Sequence, residues 1–443
     1  MSSPPTAAGA TTNVSAVERE TIKKLSWRLM PLLILGYFCA YLDRSNVGIA
    51  ATTMLADLKF SNAVFGFGSG LFFLGYFVAE LPSNLMLNKV GARIWLARIM
   101  LTWGIVASLT GFVSSTTGFY INRILLGIAE AGFYPGVVLY LMWWFPAKYR
   151  SFMLGIFMAS SVIAVGLGAP IGSLLLRLDG WMGLHGWQWL FILEGLFPIL
   201  VAVLFWQLLT DRPSQAHWLT DEQRAWLETT LRDENARVEN RLRPSLRTVF
   251  TDPKMWLLTL AYFGQNVSAY GLVFFVPLIV KGLGTPKDWI GLVSALPSIF
   301  AVFAMIYWSR RSDIRGTRTF HCASAALLSA AGLSACVFVG ADQPVITMVI
   351  LCIAFMGQLS IAPTFWPIPS SVLTGVAAAG GLAWINAVGN LGGWLGPSMF
   401  GAVKDATGSS NYGLLVLALG PLLTAICVYL ARSEKPTLAG KAA

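Results

Sequence analysis

The sequence predicts an all-α integral membrane protein, with twelve transmembrane helices arranged as two pseudo-symmetric six-helix bundles. Of its 443 residues, 56% are hydrophobic and only 12% are charged, whereas a soluble chain has about 25% charged residues. The hydrophobic residues also form twelve runs, each near the roughly 20 residues that cross a bilayer. This number of charged residues is too small to cover the surface of a water-soluble globule of this size. The composition therefore predicts that most of the chain is surrounded by lipid.

The predicted spans follow one another with mostly short polar loops between them. They lie at 27–49, 62–87, 94–113, 119–142, 151–176, 188–209, 254–280, 289–309, 319–340, 345–368, 375–401 and 412–431. Several contain Gly and Pro, which helices in lipid tolerate better than soluble helices do. Residues 1–26 are polar and hold no separate apolar core, so we expect the first span to target the chain without a cleaved signal.

The charges of the loops predict the orientation in the membrane. Lys and Arg concentrate in the short loops on the side of the N-terminus, and the opposite side has only Lys59, Arg177, Lys281, Lys287 and Lys404. Such an excess marks the cytoplasmic face and contacts anionic lipid, so we expect both termini to be cytoplasmic. The net charge of +10 is therefore assigned to topology and membrane lipid, and nucleic acid is excluded as a partner.

Five regions follow from the spans. They are an N-terminal cytoplasmic tail at 1–26, a six-helix bundle at 27–209, a cytoplasmic linker at 210–253, a second six-helix bundle at 254–431 and a cytoplasmic tail at 432–443. In the linker, Thr220 and Gln223 have the spacing of a capping box, and Leu227 and Leu231 belong to one apolar stripe. This pattern predicts a short amphipathic helix between the bundles.

Two motifs recur in both halves at nearly the same distance. The loop Asn88-Lys-Val-Gly-Ala-Arg93 is echoed by Asp313-Ile-Arg-Gly-Thr-Arg318, and a Gly-rich stretch ending at Pro170 is echoed by one ending at Pro397. The repetition indicates a tandem duplication of a six-span unit. In such proteins the substrate site lies between the halves near the middle of the bilayer, with access alternating as the halves rock.

Further motifs carry a resemblance to a known family. They are Tyr41-Leu-Asp-Arg-Ser-Asn46, Arg123-Ile-Leu-Leu-Gly-Ile-Ala-Glu130-Ala-Gly-Phe-Tyr-Pro-Gly136, Gly186-Trp-Gln-Trp-Leu-Phe191 before Glu194-Gly195, and Gly389-Asn-Leu-Gly-Gly393. With the paired loops, they resemble the major facilitator superfamily and, within it, the anion:cation symporter family. The chain is most similar to bacterial tartrate, phthalate and 4-hydroxyphenylacetate permeases. The resemblance implies the major facilitator fold, alternating access and a location in the bacterial inner membrane.

One residue departs from the superfamily pattern. Asn88 stands where the cytoplasmic loop motif usually has Asp, whereas the second half retains Asp313. The resemblance therefore predicts a weaker conformational latch in the first half than in the second. We interpret Arg93, Asp313 and Arg318 of these loops as structural or gating charges.

Ionisable residues within the apolar core of the predicted spans are confined to the first six. They are Asp43, Arg44, Glu80, Arg98, Arg123, Glu130 and Glu194. Each costs about 2.5–3.5 kcal/mol at the centre of a membrane helix, so such residues persist where they are paired or used. The second half offers polar and aromatic side chains instead, so one half suits charge and protons and the other suits hydrogen bonding and stacking.

Arg44 is the predicted anion site, because a guanidinium stays charged and presents a planar fork to two carboxylate oxygens. Adjacent Asp43 points about 100° away around the helix, and spacing identifies no permanent partner for Arg44. The alternative is that Arg44 pairs with an acid on a neighbouring helix and is structural. In relatives the matching Arg is assigned to anion recognition. The other predicted substrate-binding residues are Tyr37, Tyr76, Tyr270, Gln265, Asn266, Trp366 and Asn390.

Asp43 and Glu130 are the predicted proton carriers. Burial favours the neutral acid and a neighbouring guanidinium favours the carboxylate, so arrival of an anion at that guanidinium can switch protonation. Arg123 lies two helical turns before Glu130 and fits a transport role and a fixed charge network equally well. We interpret Glu80 and Arg98 as structural or gating. Glu194 could be a third titrating group, but a structural role is favoured.

The predicted function is secondary active uptake of a small organic carboxylate, such as tartrate or an aromatic acid, together with protons. No catalytic motif is present, which argues against an enzyme, and a sensor would carry a soluble output domain. A drug exporter is disfavoured because a buried cation suits an anionic substrate. An organic-anion exchanger and, from a different class, a polytopic membrane sensor without transport are the alternatives. We expect no cofactor, no metal, energy from the proton gradient, and a functional monomer.

Overall fold

The computed structural model describes residues 7–239, 252–339, 343–372 and 375–432. Within these residues every regular element is a helix. The helices of the first half and the linker are α1 (Ala7–Asp57), α2 (Asn62–Val90), α3 (Ala92–Leu109), α4 (Thr116–Glu130), α5 (Phe133–Trp144), α6 (Ala147–Leu176), α7 (Gly186–Leu208) and α8 (Asp221–Glu239). Those that follow are α9 (Pro253–Gly282), α10 (Ile290–Arg315), α11 (Arg318–Val339), α12 (Pro344–Phe365), α13 (Pro367–Val372), α14 (Gly375–Asn390), α15 (Gly392–Thr407) and α16 (Ser410–Leu430).

The predicted fold class is confirmed, and eleven stretches of the described residues are long and apolar enough to cross a membrane. The predicted span at 375–401 is divided between α14 and α15, each of 16 residues, which meet at Leu391. α1 is much longer than its predicted span and already begins at Ala7. The C-terminal tail beyond Arg432 and residues 240–251 of the predicted linker lie outside the described residues.

The chain divides into two compact units. The first comprises Met1–Leu242 with Val273–Ala295, and the second comprises Arg243–Leu272 with Leu296–Ala443. In the first unit, α2 packs along α4, α1 along α6, and α3 along α7. In the second, α11 packs against both α12 and α16.

A buried apolar cluster holds the second unit together. It includes Met255 of α9, Cys322 of α11, Phe365 of α12, Ile385 of α14 and Val428 of α16. Large apolar side chains on the outer helix faces are exposed instead, as are Val78, Leu81 and Leu200. Apolar residues on both the inner and outer sides are expected of helices whose surroundings are lipid.

The predicted fourth span is broken immediately after Glu130. α4 ends at that residue, and α5 begins at Phe133. Between them Gly132 has φ +89°, a left-handed conformation that glycine adopts without steric cost. The break therefore places the carboxylate of Glu130 at a helix end inside the first unit.

The linker helix α8 starts with the predicted capping box. The backbone N–H of Thr220 donates to Gln223 Oε1 at 3.2 Å, and the N–H of Gln223 donates to Thr220 Oγ1 at 3.2 Å. Farther along, Glu234 accepts from the backbone N–H of Ala147 at 3.0 and 3.1 Å, which satisfies a free donor at the start of α6. The helix is thus attached to the first unit by more than its apolar stripe.

Candidate functional site

A buried ion pair between α1 and α4 forms the centre of the site. Arg44 donates from Nη2 and Nε to Glu130 Oε1, at 2.6 and 2.9 Å. The side chains are 12% and 1% exposed, respectively. Both contacts use one carboxylate oxygen, and the other, Oε2, is buried without a hydrogen-bond partner among the described residues. Removal of one member of such a pair costs about 3–5 kcal/mol because the other charge stays buried.

Aromatic rings surround the guanidinium of Arg44. The rings of Tyr41, Phe72 and Tyr76 each have their centroid 5.4 Å from its central carbon. Two of these rings belong to α2, which approaches α4 closely at Gly127. A Cβ at Gly127 would lie 2.8 Å from the backbone nitrogen of Tyr76 and 2.9 Å from the backbone carbon of Phe72. The small residue therefore permits the helix contact that brings the rings to the ion pair.

Asp43 and Arg123 are buried beside the pair, with 3% and 1% of their surface exposed. Asp43 lies near Arg123, Trp103 and Asn46. The guanidinium of Arg123 is 5.5 Å from the ring centroid of Phe72, the ring that Arg44 also approaches. Asp43 Oδ2 and Arg123 Nε have no hydrogen-bond partner among the described residues. These groups thus retain hydrogen-bonding capacity within one charged cluster.

Glu194 of α7 extends this cluster, which sequence reasoning did not expect. It is buried and lies near Asn46 and Asp43. Both of its carboxylate oxygens lack a hydrogen-bond partner among the described residues. Buried carboxylates in such surroundings are stable mainly in the protonated form or when paired. The charged cluster therefore contains three buried acids, Asp43, Glu130 and Glu194.

Tyr37 and Tyr76 are placed differently relative to Arg44. Tyr76 contacts the guanidinium, as described above. Tyr37 lies two turns earlier on α1, stacked on Phe157 with ring centroids 4.3 Å apart and edge-on to Tyr41 at 5.0 Å. Tyr41 thus connects Tyr37 to the charged cluster, a contact that the sequence analysis did not assign.

The predicted polar residues of the second half form hydrogen bonds within the second unit. Asn266 donates from Nδ2 to the backbone oxygen of Gly389 at 3.1 Å and to Asn390 Oδ1 at 3.4 Å. Gln358, which was not among the predicted site residues, donates to the backbone oxygen of Gln265 at 2.9 Å.

Two predicted aromatic residues of the second unit have different surroundings. Trp366 packs against Tyr262, with ring centroids 4.8 Å apart. Tyr270 is buried.

The predicted structural or gating charges have different surroundings. The guanidinium of Arg98 lies 4.0 Å from the ring centroid of Trp95, and Glu80 is buried on α2. Arg318 and Asp313 are 4.0 Å apart and exposed, a geometry worth little stability.

The loop after α2 contacts Asp211, an acid from the segment between α7 and α8. There, Asp211 accepts from the backbone N–H of Arg93 at 2.7 Å, so it caps the start of α3. Asn88 itself donates to the backbone oxygen of Asn84 at 3.3 Å.

Spacing along α1 identified no partner for Arg44, whereas the structure shows one in Glu130. Asp43 does point elsewhere, but Glu130 reaches Arg44 from a helix 86 residues away along the chain. Helical spacing describes only one helix at a time, so it could not reveal this pair. The sequence did offer one indication of the pair, because Arg44 and Glu130 each lie in an apolar run and buried charges are usually paired.

Among the described residues, no group of three or more His, Cys, Asp or Glu side chains could hold a metal ion.

The fold and its buried charges define a multi-pass membrane transporter. Residues 33–439 match the model of the Major Facilitator Superfamily. The chain belongs to this superfamily.

Curated relatives match the chain over nearly its whole length. A protein of Agrobacterium vitis named "Putative tartrate transporter" is 46% identical, over 94% of this chain and 93% of the relative. The "Quinolone resistance transporter" of Acinetobacter baumannii is 38% identical, over 93% and 95%. The "Putative metabolite transport protein NicT" of Pseudomonas putida is 39% identical, over 93% and 95%.

Solved structures show the same fold at low sequence identity. A D-xylose-proton symporter has a TM-score of 0.73 at 15% identity, covering 94% of this chain and 99% of that one. An inward-facing, occupied bacterial homologue of the human lysosomal transporter Spinster also has a TM-score of 0.73, at 16% identity, covering 91% and 96%. The resemblance to tartrate permeases is thus confirmed at the level of sequence and fold.

Proposed function

We propose that the protein is a proton-coupled symporter that takes up a small organic carboxylate, such as tartrate or an aromatic acid. It acts by alternating access in a bacterial inner membrane, with both termini in the cytoplasm. The observation that carries the proposal is the buried pair of Arg44 and Glu130. Both side chains belong to the first unit, and one carboxylate oxygen of Glu130 accepts from Nε and Nη2 of Arg44.

Competition for Arg44 links the substrate to the proton. We propose that the substrate carboxylate binds the Nε/Nη2 edge of the guanidinium, which Glu130 occupies in this structure, and so displaces Glu130. The displaced carboxylate stays in a dry, aromatic setting, where its charge is costly unless it takes up a proton. Anion binding and protonation of Glu130 therefore stabilise each other, and by reciprocity a proton on Glu130 favours the anion.

The charges of Asp43 and Arg123 affect how strongly the substrate and Glu130 compete for Arg44. Arg123 stabilises negative charge on the neighbouring acids, while Asp43 repels an added anion unless it too is protonated. We assign Asp43 to a second proton step and Arg123 to electrostatic support of the pair. The polar set Gln265, Asn266 and Asn390, with Tyr270 and Trp366, is proposed to contact the remainder of the substrate through hydrogen bonds and stacking.

The relatives favour an organic acid as the substrate class. Two Agrobacterium vitis proteins at 46% and 44% identity both bear the name "Putative tartrate transporter". The relative named for quinolone resistance leaves the direction of net transport to be measured. An anion exchanger would use the same Arg44 site but would not require proton release from Glu130.

Uptake by purified protein in vesicles tests the proposal. Labelled tartrate, phthalate and 4-hydroxyphenylacetate are offered with and without an inward proton gradient. We expect at least one to accumulate with the gradient and to stop accumulating when a protonophore is added. Uptake indifferent to both conditions would contradict symport. Asp288→Asn, which removes an exposed carboxylate outside the charged cluster, should retain this gradient-driven uptake.

A further inference from the structure

A cleft at the start of the membrane-spanning part of α1 lies outside the transport site. Its volume is about 510 Å³, and it is closed on one side by Trp218 and Gln223, just before and within α8. The other wall is a face of α1 that carries Lys23, Lys24 and Arg28. These three cations are accompanied by a single carboxylate, that of Glu20. The cleft is therefore electropositive and large enough for a small anionic group.

The face of α1 that lines this cleft is set by helical periodicity. Glu20, Lys23, Lys24, Trp27 and Arg28 follow the i, i+3, i+4, i+7, i+8 spacing of one helix face. Ile22, Leu25 and Leu29 lie on the opposite face and are buried. Because the backbone of α1 is fixed by this packing, the cations are held on a rigid element.

The three cations have no ion pair among the described residues, whereas two neighbours are neutralised. Lys148 is paired with Glu18 at 3.0 Å, and Arg150 is near Glu234 at 3.5 Å. The guanidinium of Arg28 instead lies 5.2 Å from the ring centroid of Trp218. Stacking on a ring holds the guanidinium in place but leaves its N–H donors available to an anion.

The position of Trp27 points to lipid as the occupant. Its side chain is 76% exposed beside the cations, at the residue where the apolar span begins. Exposed Trp next to Lys and Arg is typical of the interface, where the ring contacts the glycerol and upper acyl region of lipids. A soluble anion would gain nothing from this ring.

We propose that this cleft binds the phosphate headgroup of an anionic glycerophospholipid from the predicted cytoplasmic leaflet. Lys23, Lys24 and Arg28 contact the phosphate, and Trp27 packs against the lipid below it. The site connects α1, which carries Arg44, to the linker helix through Trp218. It is independent of which anion the protein transports.

Native mass spectrometry of the full-length protein in detergent tests the site. The probes are phosphatidylglycerol, zwitterionic phosphatidylethanolamine and inorganic phosphate, each titrated separately. We expect retained phosphatidylglycerol on the wild type and about thirty-fold weaker binding for Lys23→Gln/Lys24→Gln, since each basic residue near an anionic surface contributes about five-fold. Trp27→Ala should weaken phosphatidylglycerol binding without creating affinity for inorganic phosphate.

Arg310→Gln/Arg315→Gln is the matched control, because it removes two exposed cations from the last turns of α10, on the side predicted to be cytoplasmic. It should retain wild-type affinity for phosphatidylglycerol. Equal losses in both double variants would show that diffuse charge, not this cleft, holds the lipid. Equal affinity of the wild type for inorganic phosphate or for phosphatidylethanolamine would also overturn the proposal. The substituted side chains are exposed, and melting temperatures check that the variants are folded.

Discussion

Replacement of Glu130 by Gln should tighten anion binding, although it removes a buried charged group. In the wild type, the substrate must break two charge-assisted hydrogen bonds from Arg44 to Glu130, at 2.6 and 2.9 Å. Hydrogen bonds to charged groups contribute about 1.5–3 kcal/mol each, and neutral ones are roughly half as strong. With a neutral amide at position 130, breaking the two hydrogen bonds should cost about 1.5–3 kcal/mol less. Relative to wild type at a pH where Glu130 is ionised, this corresponds to about ten- to hundredfold tighter anion binding.

Equilibrium binding of the labelled anion in detergent measures this effect. For the wild type, affinity should rise as the pH falls, because a proton on Glu130 frees Arg44. For Glu130→Gln, affinity should be high and should lose the part of the pH dependence that Glu130 contributes, while any part due to Asp43 is retained. Glu130→Asp is the matched control, since it retains a group that titrates. Weaker binding by folded Glu130→Gln, or an unchanged pH dependence, would refute competition for Arg44.

Three further substitutions test the anion site, the contact between α2 and α4, and the cap of α6. Arg44→Lys keeps the positive charge but loses the fork, so anion affinity should fall by about 1.5–3 kcal/mol, or ten- to hundredfold, in the same binding assay with the protein still folded. Gly127→Ala should lower stability by about 1–3 kcal/mol because its Cβ would meet the α2 backbone. The control Gly166→Ala, with no atom within 4 Å of its Cβ, should not lower the melting temperature. Glu234→Ala should cost about 0.5–2 kcal/mol by removing the cap of α6, whereas exposed Glu222→Ala should leave the melting temperature nearly unchanged.

Much of the fold was predictable because lipid imposes a simple rule on sequence. Long apolar runs mark helices, and eleven stretches satisfy the rule in the structure. The interruptions of helices were not predictable from hydropathy. The stretch Thr116–Trp144 around Gly132 is apolar enough overall to cross a membrane, and Leu391 lies within the single predicted span 375–401. Nor did composition indicate that α1 continues to Ala7, where the sequence is polar.

The charged residues of the site were predictable as a set, but their partners were not. A charge in an apolar run stands out against its neighbours, which identified Asp43, Arg44 and Glu130. Pairing depends on how helices pack, and that depends on small residues such as Gly127, whose neighbours lie on another helix. Glu194 was interpreted as structural because its sequence position gave no sign of Asn46 and Asp43 beside it.

If Glu130 couples the proton to the substrate, it should be required for proton-driven uptake but not for exchange of one substrate molecule for another. Proton-driven uptake and substrate counterflow are measured in the same vesicles for wild type and Glu130→Gln. The account predicts that Glu130→Gln loses gradient-driven accumulation but retains counterflow, because the loaded carrier can return loaded without releasing a proton. Full proton-driven accumulation by Glu130→Gln would contradict the account.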